Sequence, residues 1–507
     1  MGRAVGADTG HAQMKRPDTP EPVTLTEAII PVASLVVLVG LSYYLFGDGG
    51  AGGPNQVGLV VATMIAVFIG WRRGHSLASL GEAAVASVST GIGAIFILFA
   101  VGALIGTWAL SGTLVAMVYY GLRLLSPNYF YVTAAAICAV VSVSIGSSWT
   151  VAGTIGIGLM GIAQGMGLNP AVAAGAIISG AYFGDKSSPL SDSANLAAAA
   201  SGAQLYPHLR ETLLTSAVSM ALALAFFFSL GRPGDFNAAD ELNAMTNAFH
   251  ISLWLFAPLV VVILLAVVKI PPFSAIFLGA LAGGVLSVCV APERVIAFAS
   301  AQQGLPDWLA LLKGVWLALA NGYKASTGNA MLDLLVTRGG MDSMLNTVWL
   351  IISALAFGGV IEKCGVLERL ITPVIEKART AGALVTSLVA SIVATNIFTA
   401  DQYIAVVLPA RMFKTAFAER GFEPVVLSRA VGDSATPTGA LIPWNSCGAY
   451  MAATLGVSTL TYAPFAVFCL VSPVLTIAIA YAGIRMPRVP VAEPHAAAQP
   501  ASPHRDE

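Results

Sequence analysis

The chain reads as an all-α polytopic membrane protein of about 12 transmembrane helices, built as two repeats with broken helices at the midplane. Three observations predict this. Hydrophobic residues make up 57% of the 507 positions and charged residues only 10%, against roughly 25% charge in soluble domains. Mean hydropathy is +0.80, and windows such as 250–268 and 463–484 are apolar enough to cross a bilayer as helices. Two related Gly-Asp elements then interrupt apolar stretches, GDKSSPLSDSAN (184–195) and GDSATPTGALIPWN (432–445). Charged and helix-breaking residues are costly at membrane depth, so a related pair points to a site between two halves.

In chain order, residues 1–27 are polar and mixed in charge, without the apolar core and cleavage site of a signal peptide. They are expected as a cytoplasmic tail, with the first span doubling as the insertion signal. Two leading spans fill 28–75, and the first repeat runs over 76–230. Connecting spans and an interfacial helix at 307–323 occupy 231–334, and the stretch 231–249 is expected to be solvated. The second repeat covers 335–484, and 485–507 is expected as a disordered cytoplasmic tail. Precedent among transporters favours inverted repeats. Arg3, Lys15 and Arg16 precede the first span, the loop 47–55 has no basic residue, and Arg72 and Arg73 follow the second span. With Arg485 and Arg488 after the last span, this places both termini in the cytoplasm of a multi-pass protein.

Composition also narrows the partners. A net charge of −1 implies no attraction to nucleic acid, leaving the lipid bilayer as the certain neighbour and a homo-oligomer as an open option. The 51 glycines fit closely packed membrane helices. Five cysteines lie scattered through apolar segments without metal-site spacing and read as small buried residues. The six histidines contain no HExxH pair. His208 could sense protons, although a loop histidine is ordinarily solvated. No cofactor is expected.

The chemistry gathers at the two Gly-Asp elements. Gly184 and Pro189 argue against a continuous helix over 171–200, and a break there leaves backbone groups that only a cavity or a ligand makes tolerable. Asp185, Ser188, Asp192 and Asn195 supply hard oxygen ligands suited to Na⁺, Li⁺ or protons rather than to a transition metal. A carboxylate there holds a cation or a proton but not both at full affinity, the minimum for exchange. For Asp192 a helix N-cap is the alternative role, compatible with ion binding. Lys186 either pairs with Asp185 or snorkels to an interface. The second element supplies Asp433, Thr436 and Asn445, with Pro437 and Pro443 as breakers. Asp401, in FTADQY, reads equally as a ligand or a helix start, and Ser148 sits in the polar interruption SIGSSWT (144–150). Glu362, Lys363, Glu368 and Arg369 have spacings that allow interfacial ion pairs along one helix face.

These stretches resemble the NhaC family of Na⁺/H⁺ antiporters. The resemblance rests on ISGAYFGDKSSPLSDSANLA (178–197), ASTGNAMLDLLVTRGGMDSML (325–345), FTADQYIAVVLPARMFK (398–414), LIPWNSCGAYMAATLGVSTLTYAPFA (441–466) and GALIGTWALSG (102–112). It implies a secondary antiporter of a bacterial inner membrane that exchanges Na⁺ for H⁺. Some members similar in sequence couple cations to organic acids such as malate and lactate. The functional carboxylates would map to Asp185, Asp192 and Asp433, with Asn195 and Asn445 as polar partners. Two departures stand out: Ser193 and Ala194 replace two threonines, and Gly432 stands where the family usually carries a glutamate.

An enzyme is the other class to weigh. Paired intramembrane Gly-Asp elements suggest an aspartyl protease, yet YFGD (182–185) and AVGD (430–433) lack the GxGD pattern. The following Pro and Asn serve no purpose in that chemistry. An organic-acid/cation antiporter is the nearer rival, and would use Lys186, Arg411 or helix N-termini for its carboxylate.

Overall fold

The computed structural model describes residues 20–231, 239–300, 305–325 and 327–489. The first half runs through α1 (Leu25–Phe46), α2 (Pro54–Arg72), α3 (Leu77–Thr90), α4 (Ile92–Ser111), α5 (Thr113–Leu124), α6 (Phe130–Ile145), α7 (Ser148–Val151), α8 (Ile157–Gly165), α9 (Pro170–Ser187), α10 (Asp192–Ser201) and α11 (Leu205–Ser229). A connecting set follows: α12 (Ala239–Ala248), α13 (Ala257–Val267), α14 (Pro272–Val290), α15 (Pro292–Ala299), α16 (Asp307–Asn321) and α17 (Ala330–Val336). The second half comprises α18 (Leu345–Lys363), α19 (Val366–Lys377), α20 (Ala381–Thr399), α21 (Gln402–Glu419), α22 (Pro424–Gly439), α23 (Ser446–Leu455), α24 (Thr459–Tyr462) and α25 (Val467–Ala482). Among the described residues the only β pairings are two isolated bridges.

Among the described residues eight helices are long and apolar enough to cross a membrane, or up to ten if each of two bent pairs is one span. About 12 spans were expected; α5 is the one shorter apolar helix among the described residues and would bring the total to eleven at most. The protein is thus an all-helical, multi-pass membrane protein with broken helices.

From α4 and from α18 onward the two halves follow a similar order of elements. In each, a long helix (α4, α18) and a shorter one (α5, α19) precede a helical hairpin, formed by α6 with α7–α8 and by α20 with α21. A broken helix follows, α9–α10 and α22–α23, and then a return, α11 and α24–α25. Their directions are opposed. The start of α9 lies beside that of α6, where Tyr131 Oη accepts from Asn169 N at 3.0 Å, and α6 starts near Gly231 after α11. The start of α22 lies at the other end, where Glu423 N donates to Pro487 O at 3.0 Å and Arg485 approaches Glu211 at the start of α11. That second end also holds Lys414, beside Gly202 at the close of α10.

Each hairpin tip is a single left-handed residue, Gly146 (φ +80°) and Ala400 (φ +56°). A side chain at Gly146 would meet the Leu190 carbonyl carbon at 2.7 Å, because the first helix break rests on this tip. The second break does the same through Ser446 N to Ala400 O, 2.9 Å. The halves also exchange partners: α10 packs on α21 and α22, and α23 packs on α8 and on the π-helical turn Ala152–Gly156 that precedes it. Trp149 stacks on Tyr450 with ring centroids 4.1 Å apart.

Several expectations change. The stretch 231–249 contains the helix α12, while 232–238 lies outside the described residues. Residues 485–489 are not a free tail, since Val489 N bonds Gly421 O and Arg488 lies over the Phe422 ring; 1–19 and 490–507 lie outside the described residues. Among the described residues no ion pair joins Glu362, Lys363, Glu368 and Arg369. The helix at 307–323 forms as α16, burying Ala310, Gly314 and Ala318 and exposing Trp308 and Trp316.

Gly184 packs closely on α6: an added Cβ would lie 2.3 Å from Ser142 Cβ and 2.4 Å from Val143 N. Gly184→Ala is therefore expected to force α6 and α9 apart and destabilise the fold by about 1–3 kcal/mol. Thermal unfolding in detergent measures this, with Gly49→Ala, which meets nothing within 4 Å, as the neutral comparison.

Candidate cation-binding site

Four helices start in the interior, and each is capped by its own sequence. Ser147 Oγ accepts from Thr150 N at the start of α7 (3.2 Å), and Ser191 Oγ from Ala194 N at the start of α10 (3.3 Å). Asp401 Oδ1 accepts from Tyr403 N (2.6 Å) and Ile404 N (3.0 Å) at α21, and Asn445 Oδ1 from Cys447 N (3.0 Å) at α23. These caps replace the partners that the freed N–H groups would find in water. All four N-termini face one cavity of about 230 Å³, lined by Asp185, Asp192, Asp401, Gln402, Ser446 and Cys447 among others.

Asp185 is the best-held carboxylate. Its Oδ2 accepts from Ser148 Oγ at 2.6 Å and Ser148 N at 3.3 Å. Its Oδ1 accepts from Ser191 Oγ at 2.6 Å and Ser193 Oγ at 3.1 Å. One side chain thus joins the first hairpin tip to the start of α10. Asp192, in the first turn of α10, is exposed to the cavity, where the helix N-terminus favours its negative charge. The cap of α10 is Ser191, not Asp192. Asp401 caps α21, as the helix-start reading expects, and also lines the cavity. No lysine or arginine lines this space. No three His, Cys, Asp or Glu side chains among the described residues close on a single metal position.

Asp433 is elsewhere. Consecutive helical residues point about 100° apart, so Lys186 leaves Asp185 facing the cavity and turns toward the other half. Lys186 Nζ lies 2.6 Å from Asp433 Oδ1, with the two side chains 1% and 0% exposed. Lys186 also donates to Ser472 Oγ (2.9 Å), which donates to Asp433 O (2.7 Å), and Thr215 Oγ1 donates to Asp433 Oδ1 (2.9 Å). The expected Asp185–Lys186 pair is not formed, and Asp433 does not line the cavity with Asp185.

The remaining candidates brace the breaks. Ser188 Oγ donates to Val143 O (2.8 Å), and Asn195 Nδ2 donates to Ser191 O (2.7 Å). Asn445 Nδ2 donates to Asn396 O (3.1 Å), while Asn396 Nδ2 donates to Ala435 O (2.9 Å). Thr436 is buried within α22 away from the cavity lining. Thr215 and Ser472 carry no signal in the sequence, because their partners lie 218 and 286 residues away, and Gln402 lines the cavity while accepting from Cys447. His208, expected in a solvated loop, lies on α11 with no exposed surface. Four cysteines are buried as expected, and Cys289 is exposed.

Residues 180–484, which include both broken helices, match the Na⁺/H⁺ antiporter family. The chain belongs to this family. It is 36% identical to the Na⁺/H⁺ antiporter NhaC of Alkalihalophilus pseudofirmus over 85% of this chain and 90% of that one. It is 34% identical to an uncharacterized Na⁺/H⁺ antiporter of Haemophilus influenzae (88% and 93% covered). It is equally 34% identical to a malate-2H⁺/Na⁺-lactate antiporter of Bacillus subtilis (91% and 95% covered). The family is one of transporters rather than enzymes, which removes the aspartyl protease alternative.

Ser148→Ala and Ser191→Ala each delete a short hydrogen bond to Asp185 and are expected to weaken apparent affinity for the transported cation by roughly tenfold. Ser188→Ala, whose hydroxyl faces a backbone carbonyl, is expected to leave that affinity near wild type. Cation titration of transport in vesicles distinguishes the two outcomes.

Proposed function

We propose that the protein is a secondary active antiporter that exchanges cytoplasmic Na⁺ or Li⁺ for external H⁺ by alternating access. The observation that carries this reading is the cavity holding Asp185, Asp192 and Asp401 with no basic side chain in its lining. Each helix N-terminus carries roughly +0.5 elementary charge, so the four that converge contribute about +2. Three ionised carboxylates leave about one net negative charge, the amount that one monovalent cation or one proton neutralises. The serine hydroxyls around Asp185 can turn from donating to the carboxylate to accepting from a cation. Protonation of the carboxyls removes the charge that holds Na⁺, which couples the two ions by competition.

Asp185, Asp192 and Asp401 are the cation- and proton-binding residues in this reading, with Ser148, Ser191 and Ser193 supporting Asp185. The end that carries Lys414, Arg420, Arg485 and Arg488 faces the cytoplasm of a bacterial inner membrane, in keeping with the excess of basic residues expected there. Exchange of an organic acid for a cation is the second reading, favoured by the malate-2H⁺/Na⁺-lactate relative. An acid anion in this cavity would meet three carboxylates and no cationic side chain, which favours the inorganic cation.

Dequenching of a pH-gradient dye in everted vesicles tests this. Na⁺ and Li⁺ are expected to restore fluorescence, and Asp185→Asn, Asp192→Asn and Asp401→Asn to weaken the response, Asp185→Asn most. Wild-type Na⁺ responses in all three variants would sink the assignment. A response to malate but never to Na⁺ alone would replace it with the second reading.

A further inference from the structure

A second polar region lies apart from the cavity, between α11, α22 and α25. On α11, His208, Thr212, Thr215, Ser216 and Ser219 share one helical stripe, each at most 1% exposed. From His208 to Ser219 the stripe rises about 16 Å, roughly half the hydrocarbon thickness of a bilayer. Apolar side chains would pack a helix interface at lower cost there, so a polar stripe facing protein at this depth marks an ion or proton pathway.

Its polar atoms are incompletely satisfied. His208 Nε2, Asp433 Oδ2, Ser216 Oγ, Ser219 Oγ, Ser434 Oγ and Thr476 Oγ1 are buried without a hydrogen-bond partner. Isolated orphans are costly in a low-dielectric interior, and a group of them is the signature of a hydrated or protonatable channel. His208 is placed by two features. Its Nδ1 is bonded to Ser428 Oγ at 2.7 Å, which leaves Nε2 as the atom that can take up and release a proton. Its ring fills the space over Gly432, where an added Cβ would lie 2.8 Å from Cε1. The position where the resemblance leads one to expect a glutamate is thus covered by an imidazole next to Asp433.

At the basic end the stripe is closed by charge. Glu211, one turn beyond His208, lies 3.5 Å from Arg429 and 3.8 Å from Arg485. The charged groups around the imidazole are therefore Glu211 and Arg210 from α11, Arg429 and Asp433 from α22, Lys186 from α9, and Arg485 beyond α25. We infer that His208 is the proton relay between the cytoplasmic end and the Lys186–Asp433 pair, on a route separate from the cation cavity. A proton taken up at Nε2 passes to Asp433 Oδ2. Asp433 becomes neutral, its ion pair with Lys186 is lost, and Lys186 keeps its charge, so the pair gains one positive charge beside Asp185.

The inference rests on the proton-coupled antiport proposed above, and the test separates the two. Na⁺-dependent proton movement is measured in vesicles between about pH 6 and 9 for wild type, His208→Asn and Gly432→Ala. Asn keeps a polar group where Nδ1 bonds Ser428 but cannot carry the proton; the alanine methyl displaces the ring. Both are expected to lower the maximal rate by about tenfold or more and flatten its pH dependence, with the Na⁺ KM unchanged within about twofold. Rates and pH profiles that superimpose on wild type overturn the relay. So does a loss of rate matched by an equal loss of Na⁺ affinity or of thermal stability, since that is a structural role. Absence of any Na⁺ response in the wild type instead rejects the antiport reading itself.

Discussion

Every backbone N–H freed by interrupting a helix inside lipid must be satisfied by the protein, and the interior of this molecule is organised by that requirement. Four helices begin at mid-depth, and Ser147, Ser191, Asp401 and Asn445 satisfy their first turns. Gathering those starts concentrates positive potential in one place. That potential lowers the cost of placing carboxylates where an isolated buried charge would be prohibitive. Asp185 is part of the same solution, because the hydroxyl of Ser191 that caps α10 also donates to it.

The two halves solve the problem with different chemistry. In the first, the acid of the Gly-Asp element faces the cavity and is surrounded by hydroxyls. In the second, the corresponding acid is turned into an ion pair by a lysine from the first half. Removing either member of such a pair strands the other as an unpaired buried charge, a loss of about 3–5 kcal/mol. The pair therefore links the halves mechanically as well as electrostatically. Asp401 restores the count of acids at the cavity, supplied by a hairpin tip rather than by the Gly-Asp element.

Much of this was legible in the sequence. Apolar windows located the spans. Of the residues read as breakers, Pro189 and Pro443 lie in the two breaks, at 188–191 and 440–445, whereas Gly184 and Pro437 lie inside α9 and α22. Asp185 and Asp192, singled out as hard oxygen ligands beside a break, line the cavity. What stayed hidden was direction. Periodicity shows that Asp185 and Lys186 diverge but not which neighbour each meets, so the Lys186–Asp433 pair and the burial of His208 needed the tertiary packing. Asn195 and Asn445 look like ligands by residue type, yet their amides are consumed in bracing the turns. Asp401 was undecidable from sequence because cap and ligand demand the same residue.

The exchange of partners between the halves bears on how the molecule can move. The last part of each broken helix packs on the opposite half, α10 on α21 and α22, and α23 on α8 and its π-helical turn. The Trp149–Tyr450 stack and the bond from Tyr450 Oη to Trp149 O (2.7 Å) cross the same seam. A plane drawn between the halves along the sequence would cut all of these contacts at once. The packing units are therefore composite, each joining a hairpin from one half to a helix terminus from the other, and the covalent chain runs back and forth across the seam.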